Sequence, residues 1–128
     1  MSIQIVRLGS PRSKNEGLRI GTVRRPPRGI PKGEFSKRDF YDVWFPNLAP
    51  SAELMKIGQK VSTEEEWNQF VRKFRVELKN PSAKHDLQLL ANLSHQTNFS
   101  IGCYCEDEAR CHRLVLKELL LELGAEIQ

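Results

Sequence analysis

The chain has 128 residues, 39% of them hydrophobic, a net charge of +4 at pH 7 and three cysteines. This composition suits one cytoplasmic domain over residues 1–128 with its own hydrophobic core, and it excludes a disordered chain. The odd number of cysteines argues against a secreted disulfide framework, and no apolar run approaches the ~20 residues that would cross a membrane.

The N-terminal part of the chain favours short strands. Residues 3–8 (IQIVRL) and 19–24 (RIGTVR) are rich in β-branched side chains and alternate in part between apolar and polar types. Three prolines and a glycine then exclude regular structure, so residues 24–34 are predicted to form a basic Pro/Gly loop. Residues 42–46 are typical of a strand end or a buried turn.

Four helices are predicted in the remainder of the chain, over residues 52–57, 63–79, 82–95 and 109–123. A glycine follows the first and the last of them and would end each helix. In the second, apolar residues recur at i, i+3, i+4, i+7 and i+11 from Trp67, which is one stripe of an α-helix. A capping box at its start would use Ser62 with Glu65 or Thr63 with Glu66.

Residues 99–105 (FSIGCYC) predict a further strand between the third and fourth helices. Short strands that alternate with helices are typical of an α/β fold. We therefore expect a small, mostly parallel sheet flanked by helices, arranged as a single layered sandwich.

All three cysteines and one of the three histidines lie within ten residues, as Cys103, Cys105, Cys111 and His112. This cluster spans the end of the last predicted strand and the start of the last helix. Open α/β sheets bind ligands at the carboxyl ends of their strands, beside helix N-termini. The candidate catalytic residues are therefore Cys105, Cys111 and His112. His112 is the candidate general acid or base, because the ordinary pKa of histidine lies near neutrality.

Several interpretations of the cluster stay open, and no cofactor is assigned from the sequence. The cysteines could be small buried residues with no chemical role. Cys103, Cys105, Cys111 and His112 could bind zinc, although C-x-C-x5-C-H differs from the usual C-x2-C pairs. Cys105-x4-Arg110 resembles a phosphatase or rhodanese loop, although the acidic residues between the two would raise a thiol pKa. Cys105 and Cys111 could also form a redox pair without the C-x-x-C spacing.

Positive charge is concentrated at the N-terminal end, where residues 1–40 carry +7 while the remaining 88 carry −3. Arg24, Arg28 and Arg113 are the candidate ligand-binding residues, because arginine binds phosphate or carboxylate in a bidentate manner. We expect a small anionic ligand between the basic loop and the cysteine cluster. Nucleic acid is supported only weakly, since no aromatic residues are interleaved with the basic ones and no nucleic-acid-binding motif is present.

Four motifs follow one another along the chain: Pro27-Arg28-Gly29-Ile30, FPNLAPSAEL at residues 45–54, Trp67-x2-Phe70-x3-Phe74, and Cys103-x-Cys105 with Cys111-His112-Arg113. Their order and spacing resemble the DUF488 family, the YeaO-like domains of unknown function, over about residues 19–123. The resemblance implies an α/β fold in a prokaryotic cytoplasm and no established activity. The chain departs from the pattern at Val23, where an acidic residue is expected, and at Arg25-Pro26, where Leu-Trp is expected. These departures put acid–base chemistry in the loop in doubt and make it more attractive to anions.

Two classes of function are consistent with these patterns. In the first, the protein is an enzyme or a pocket for a nucleotide-like or phosphorylated small molecule, with Arg24 and Arg28 on the anion and Cys105, Cys111 and His112 on the reacting side. In the alternative, it is a non-catalytic binding module that docks an acidic partner or nucleic acid on its basic N-terminal surface, with or without a structural metal at the cluster. The sequence does not determine whether the protein is an enzyme, nor its oligomeric state.

Overall fold

The computed structural model describes residues 1–105 and 110–128. Its strands are β1 (Ile3–Arg7), β2 (Leu18–Gly21), β3 (Val43–Trp44) and β4 (Phe99–Cys103). They form one sheet in the order β1-β4-β2-β3, and every neighbouring pair is parallel. The predicted α/β class with a small parallel sheet is therefore confirmed.

The central strand β4 is buried along its whole length because it pairs with β1 on one side and β2 on the other. Successive side chains of a strand point to opposite faces. Ile20, Phe99 and Ile101 join the main hydrophobic core, which also contains residues from all four helices. Arg19 and Ser100, which are paired in register, belong to the opposite face.

That opposite face contains a buried ion pair between Arg19 and Glu16, whose side chains are 0% and 2% exposed. Arg19 Nε and Nη2 donate to the two carboxylate oxygens of Glu16 at 2.7 and 2.9 Å. Arg19 Nη1 also donates to the carbonyls of Ser10 and Asp39, and the hydroxyl of Ser100 donates to Glu16. The pair therefore ties two loop segments to the sheet.

The helices are α1 (Ala52–Gln59), α2 (Glu64–Glu77), α3 (Pro81–Leu93) and α4 (His112–Glu122), with short 3-10 turns at Lys32–Glu34 and Pro46–Leu48. The apolar stripe predicted for α2 is observed, since Phe70 and Phe74 are buried and Trp67 and Val71 pack against the same core. Among the helices of the described residues, none combines the length and the apolar character needed to cross a membrane.

Local sequence signals account for the start of α2 but not for the end of α1. Thr63 accepts a hydrogen bond from the backbone N–H of Glu66, whose carboxylate accepts one from the backbone of Thr63, so the second of the two proposed capping boxes forms. Gly58 does not end α1, contrary to the prediction. A Cβ atom at this glycine would lie 2.8 Å from the ring of Phe70, so its lack of a side chain allows α2 to pack closely.

Three of the other boundaries that differ from the sequence prediction lie next to the candidate site. The second strand ends at Gly21 rather than at residue 24, and the strand that begins at Phe99 ends at Cys103 rather than at residue 105. The last helix begins at His112, while residue 109, its predicted start, lies outside the described residues. The earlier strand ends release the residues that follow β2 and β4, and these residues line the site described next.

Candidate functional site

A cavity of about 530 Å³ lies beside the carboxyl ends of β2 and β4. Its walls come from the segment after β2, from α1, from the residues after β4 and from the first residue of α4. The polar and reactive side chains that line it include Arg24, Arg25, Arg28, Lys56, Cys105 and His112. The described part of the chain contributes no carboxylate to this lining. The cavity, which we call the arginine cavity, thus combines four cationic side chains with part of the cysteine cluster.

Folding gathers the four members of the cysteine cluster at the junction of β4 and α4. Cys103 is the last residue of β4, Cys111 is the N-cap of α4, and His112 is its first residue. The Sγ atoms of Cys103, Cys105 and Cys111 and one ring nitrogen of His112 all lie within 4.8 Å of one another. Cys103 and Cys111 are buried, Cys105 is partly exposed, and all three are free thiols.

His112 has a fixed orientation and one protonated nitrogen that can be assigned. Its Nε2 atom lies 2.7 Å from the carbonyl oxygen of Thr22. A carbonyl only accepts hydrogen bonds, so Nε2 carries the proton and the lone pair of the neutral ring is on Nδ1. Burial lowers the pKa of His112 and favours this neutral form, and the edge-on ring of Phe74, 5.9 Å away, adds to its apolar surroundings.

Cys105 is the thiol of the cluster most stabilised as a thiolate. Hydrogen bonds from the thiols of Cys103 and Cys111, assisted by the charge of Arg113, outweigh burial and lower the pKa of Cys105. The hydrogen bond to Cys105 and burial raise the pKa of Cys103 to about 11. Hydrogen bonds to both other cysteines, with burial, also raise the pKa of Cys111. Such a cluster can present a thiolate to a substrate or bind a thiophilic metal ion.

Arg24, which also lines the arginine cavity, is held in place by backbone carbonyls. Its Nε and Nη2 atoms donate to the carbonyls of Pro50 and Ala49, each at 3.0 Å, immediately before α1. These bonds use part of the donor set of the guanidinium and leave other N–H groups for a ligand. Arg28 is exposed at the mouth of the cavity. One arginine is therefore fixed and the other is accessible.

A second, shallower cavity of about 570 Å³ adjoins the first and shares Arg25, Arg28 and Tyr104 with it. Its remaining lining is apolar and includes Phe40 and Ile30. The rings of Phe40 and Tyr104 meet edge to face at 6.4 Å, and the hydroxyl of Tyr104 donates to the carbonyl of Arg25 at 2.9 Å. We call this region the aromatic groove; it offers an apolar surface next to the cationic one.

A family model described as the active DUF488-N3 subclade, DUF488-N3a, matches residues 3–124. The chain belongs to the DUF488 family. The predicted resemblance is thus confirmed over almost the whole chain, including both the basic loop and the cysteine cluster. No curated protein and no solved structure matches the chain.

The DUF488 fold brings together most of the site residues that the sequence predicted. Arg24, Arg28, Cys105 and His112 line one cavity, and Cys111 lies directly behind Cys105. The four residues between Cys105 and Arg110, on which the proposed phosphatase-like loop depends, lie outside the described residues.

Arg113 takes a different position from the one expected of a ligand-binding residue. It is only 2% exposed, and its Nη1 atom donates to the carbonyl of Val6 at 3.0 Å, which ties α4 to β1. It does not line the arginine cavity. Its positive charge acts on the site by helping to lower the pKa of Cys105. The helical period explains this position, because adjacent residues of a helix, such as His112 and Arg113, point in different directions.

The DUF488 site also includes Lys56 and Arg25, which sequence reasoning did not select. Lys56 lies on α1, where an isolated lysine is typical of any solvated helix face. Arg25 was noted in the basic loop, as a departure from the family pattern that makes the loop more attractive to anions, but it was not chosen as a binding residue. Lys56 carries no local signal of its role, because it reaches the cavity only through the packing of α1 against the segment that follows β2.

Proposed function

We propose that this DUF488 protein binds a nucleotide-like phosphorylated small molecule in the arginine cavity, with Cys105, Cys111 and His112 on the reacting side. The observation that carries the proposal is the convergence of Arg24, Arg25, Arg28 and Lys56 on one cavity to which the described residues add no carboxylate. Cations that face one cavity attract an anion strongly, since low-dielectric walls concentrate their field.

Phosphate is the anion that suits this geometry. Arg24 is already oriented by two backbone carbonyls, so little side-chain entropy is lost when its remaining N–H groups bind phosphate oxygens. Arg28 can complete a two-arginine clamp from the mouth of the cavity. His112, the first residue of α4, also lines the cavity, so the positive end of that helix dipole supports an anion there.

The aromatic groove favours a nucleotide-like ligand over phosphate alone. Its apolar lining by Phe40 and Ile30 adjoins the cations that Arg25 and Arg28 supply to both cavities. A ligand with a charged phosphate and a flat base or sugar would fill both spaces at once. Stacking of a base on an aromatic side chain contributes ~1–3 kcal/mol in proteins that bind single-stranded nucleic acids.

The reacting side is formed by the cysteine cluster. Cys105 and His112 line the arginine cavity, and Cys111 contacts the sulfur of Cys105 from behind. The description of the matching family model as an active subclade supports a catalytic role for the protein. A bound phosphorylated molecule would therefore meet its reactive groups and its anchoring cations in the same cavity.

The alternative function, a non-catalytic module that binds an acidic partner or nucleic acid, depends on a dispersed basic surface. Two of the N-terminal cations, Arg12 and Arg19, are instead paired with carboxylates of the same chain. Three further cations of this part, Arg24, Arg25 and Arg28, line the arginine cavity, which favours a small ligand.

The test is a calorimetric titration with inorganic phosphate, adenosine monophosphate and uncharged adenosine. We expect the monophosphate to bind more tightly than phosphate, and adenosine to bind weakly. Replacing Arg28 by Gln removes a charge-assisted contact worth ~1.5–3 kcal/mol, so the Kd for the monophosphate should rise about tenfold to a hundredfold. The matched control is Arg38→Gln, which removes the same charge from an exposed pair with Glu34 outside the cavity.

The control separates the two functions. If Arg38→Gln weakens binding as much as Arg28→Gln, and binding falls steeply with salt, the dispersed basic surface of the alternative is responsible. If the unaltered protein binds neither phosphate nor the monophosphate, the proposed function is wrong.

A further inference from the structure

The cysteine cluster has the composition and the compactness of a metal site. We infer that Cys103, Cys105, Cys111 and His112 bind one Zn²⁺ ion in tetrahedral coordination. Three thiolates and one imidazole form a Cys₃His donor set, which proteins use for structural zinc. This inference does not depend on the binding of a phosphorylated ligand.

The distances within the cluster suit zinc. With Zn–S bonds of ~2.3 Å and Zn–N bonds of ~2.0 Å, ligand atoms at the corners of a tetrahedron lie about 3.5–3.8 Å apart. The four ligand atoms already lie within 4.8 Å of one another, so a contraction of at most about 1.3 Å brings them to bonding positions. Rotation of the cysteine side chains can supply this contraction without moving the backbone.

The fold removes the objection that the spacing raises. In C-x-C-x5-C-H, one residue separates the first two cysteines. If both belonged to one extended strand, the geometry of the sheet would restrict how far their sulfurs could turn toward one ion. β4 ends at Cys103, however, so Cys105 is no longer bound by the geometry of the sheet. Cys111 and His112 then arrive from the start of α4. Two segments that meet at their ends supply the four ligands, as in many structural zinc sites.

His112 has the tautomer that a metal ligand requires. Its Nε2–H donates to the carbonyl of Thr22, which leaves Nδ1 as the atom with a free lone pair. A metal-bound histidine in proteins almost always donates its other ring N–H to a carbonyl or carboxylate, and this second contact fixes the ring. The bond to Thr22 also links the site to the residue that follows β2.

Zinc would join β4 to α4 and hold the wall of the arginine cavity. Four protein ligands close the coordination sphere, which is typical of structural rather than catalytic zinc. Since Cys105 and His112 also line the cavity, the ion would fix the positions of two side chains that face a bound anion. The ion would bind all three cysteines as thiolates and displace any thiol protons they still hold, and no electrons would be transferred.

The first measurement is elemental analysis of protein purified without chelators and without a metal-affinity step. We expect one zinc ion per chain. After removal of the zinc, titration with Co²⁺ should give one equivalent with the intense visible bands of tetrahedral cobalt and the charge-transfer bands of thiolate ligands. The absence of metal in the purified protein, combined with the weak spectrum of hydrated cobalt, would overturn the inference.

Variants test the individual ligands. Cys105→Ser is the primary one, because Cys105 is partly exposed and its replacement is tolerated more easily than that of a buried cysteine. Loss of a direct ligand should weaken cobalt binding by more than the about 10–100-fold that is typical of outer-shell changes. His112→Asn should do the same, while His95→Asn is the matched control. His95 also places Nε2 on a backbone carbonyl, that of Gly124, but lies outside the cluster.

Two results separate this inference from the proposed function. If Cys105→Ser binds cobalt as tightly as the unaltered protein and with an unchanged spectrum, the zinc site is wrong, whatever the protein does with phosphate. The variant Arg28→Gln should keep the full cobalt spectrum while it loses affinity for adenosine monophosphate. If the protein fails to bind the anion, the cobalt test of the zinc site is unaffected. If it fails to bind cobalt, the test of anion binding is likewise unaffected.

Discussion

Replacing Glu16 by Gln tests how the sheet tolerates a charged pair on the face opposite the helices. Arg19 is 0% exposed and donates two hydrogen bonds to the carboxylate of Glu16, at 2.7 and 2.9 Å. Glutamine has nearly the same shape but no charge, and its amide group would place a donor opposite a guanidinium donor. The substitution therefore leaves a buried positive charge without its counter-charge, while the volume of the core is unchanged.

The magnitude follows from the remaining partners of Arg19. Removing one member of a buried ion pair costs ~3–5 kcal/mol. Two carbonyls, of Ser10 and Asp39, continue to accept from Nη1 at 2.8 and 2.6 Å, which places the expected loss near the lower limit. We expect the free energy of unfolding to fall by about 3 kcal/mol. For a chain of this size the melting temperature should decrease by roughly 10 °C.

The assay is chemical denaturation of the Glu16→Gln variant, with Glu34→Gln as the matched control. Glu34 also pairs with an arginine nearby in sequence, but at 3.4 Å and with side chains 51% and 39% exposed, so its loss should change stability by less than about 0.5 kcal/mol. Equal effects of the two substitutions would refute the argument that burial decides the strength of the first pair. So would a loss below about 1 kcal/mol in Glu16→Gln.

Two further predictions concern acid stability and backbone packing. Burial alone would raise the pKa of Asp42, but hydrogen bonds from Arg12 and other donors lower it from 3.8 to about 2. A carboxylate with a lowered pKa stabilises the fold fully above its unfolded pKa, and this contribution is lost as the pH falls from 3.8 to about 2. Urea denaturation should thus show a steeper acid loss in the unaltered protein than in Asp42→Asn, and parallel pH profiles would contradict this. Gly102→Ala should cost ~1–3 kcal/mol in the same assay, because its Cβ atom would lie 2.6 Å from the carbonyl oxygen of Val6. Gly33→Ala, whose Cβ would meet nothing within 4 Å, is the control, and equal losses in both variants would show that crowding is not the cause.

Much of the fold could be predicted because its signals are local. The stripe that begins at Trp67 and the pairing of Thr63 with Glu66 depend on residues three or four apart, which a helix brings together whatever the rest of the chain does. Apart from the second strand and the last helix, the predicted boundaries agree with the structure within two residues. The end of α1 was predicted wrongly, because Gly58 serves the contact with Phe70 rather than ending the helix.

Some residues of the candidate site could likewise be identified from the sequence, while the position of Arg113 could not. The cysteine cluster is short in sequence, so its members were recognisable as neighbours before the fold was known. Arg24 and Arg28 were identified by charge, and the structure places them in one cavity with Cys105 and His112. Arg113 was assigned to that site as an arginine at the start of the last helix that could bind an anion, whereas its side chain binds the carbonyl of Val6.

The sequence by itself determined the α/β class, the family and the place of the cysteine cluster at a strand end. These features depend on periodicity and on short spacings, which act within single elements of structure. Only the tertiary structure decided that β4 inserts between β1 and β2 and that Lys56 of α1 faces the cluster. It also decided that Glu16 neutralises Arg19 within the protein. Such contacts arise from the order of the strands and from the packing of whole elements, whose free energy is a property of the complete chain and of no local segment.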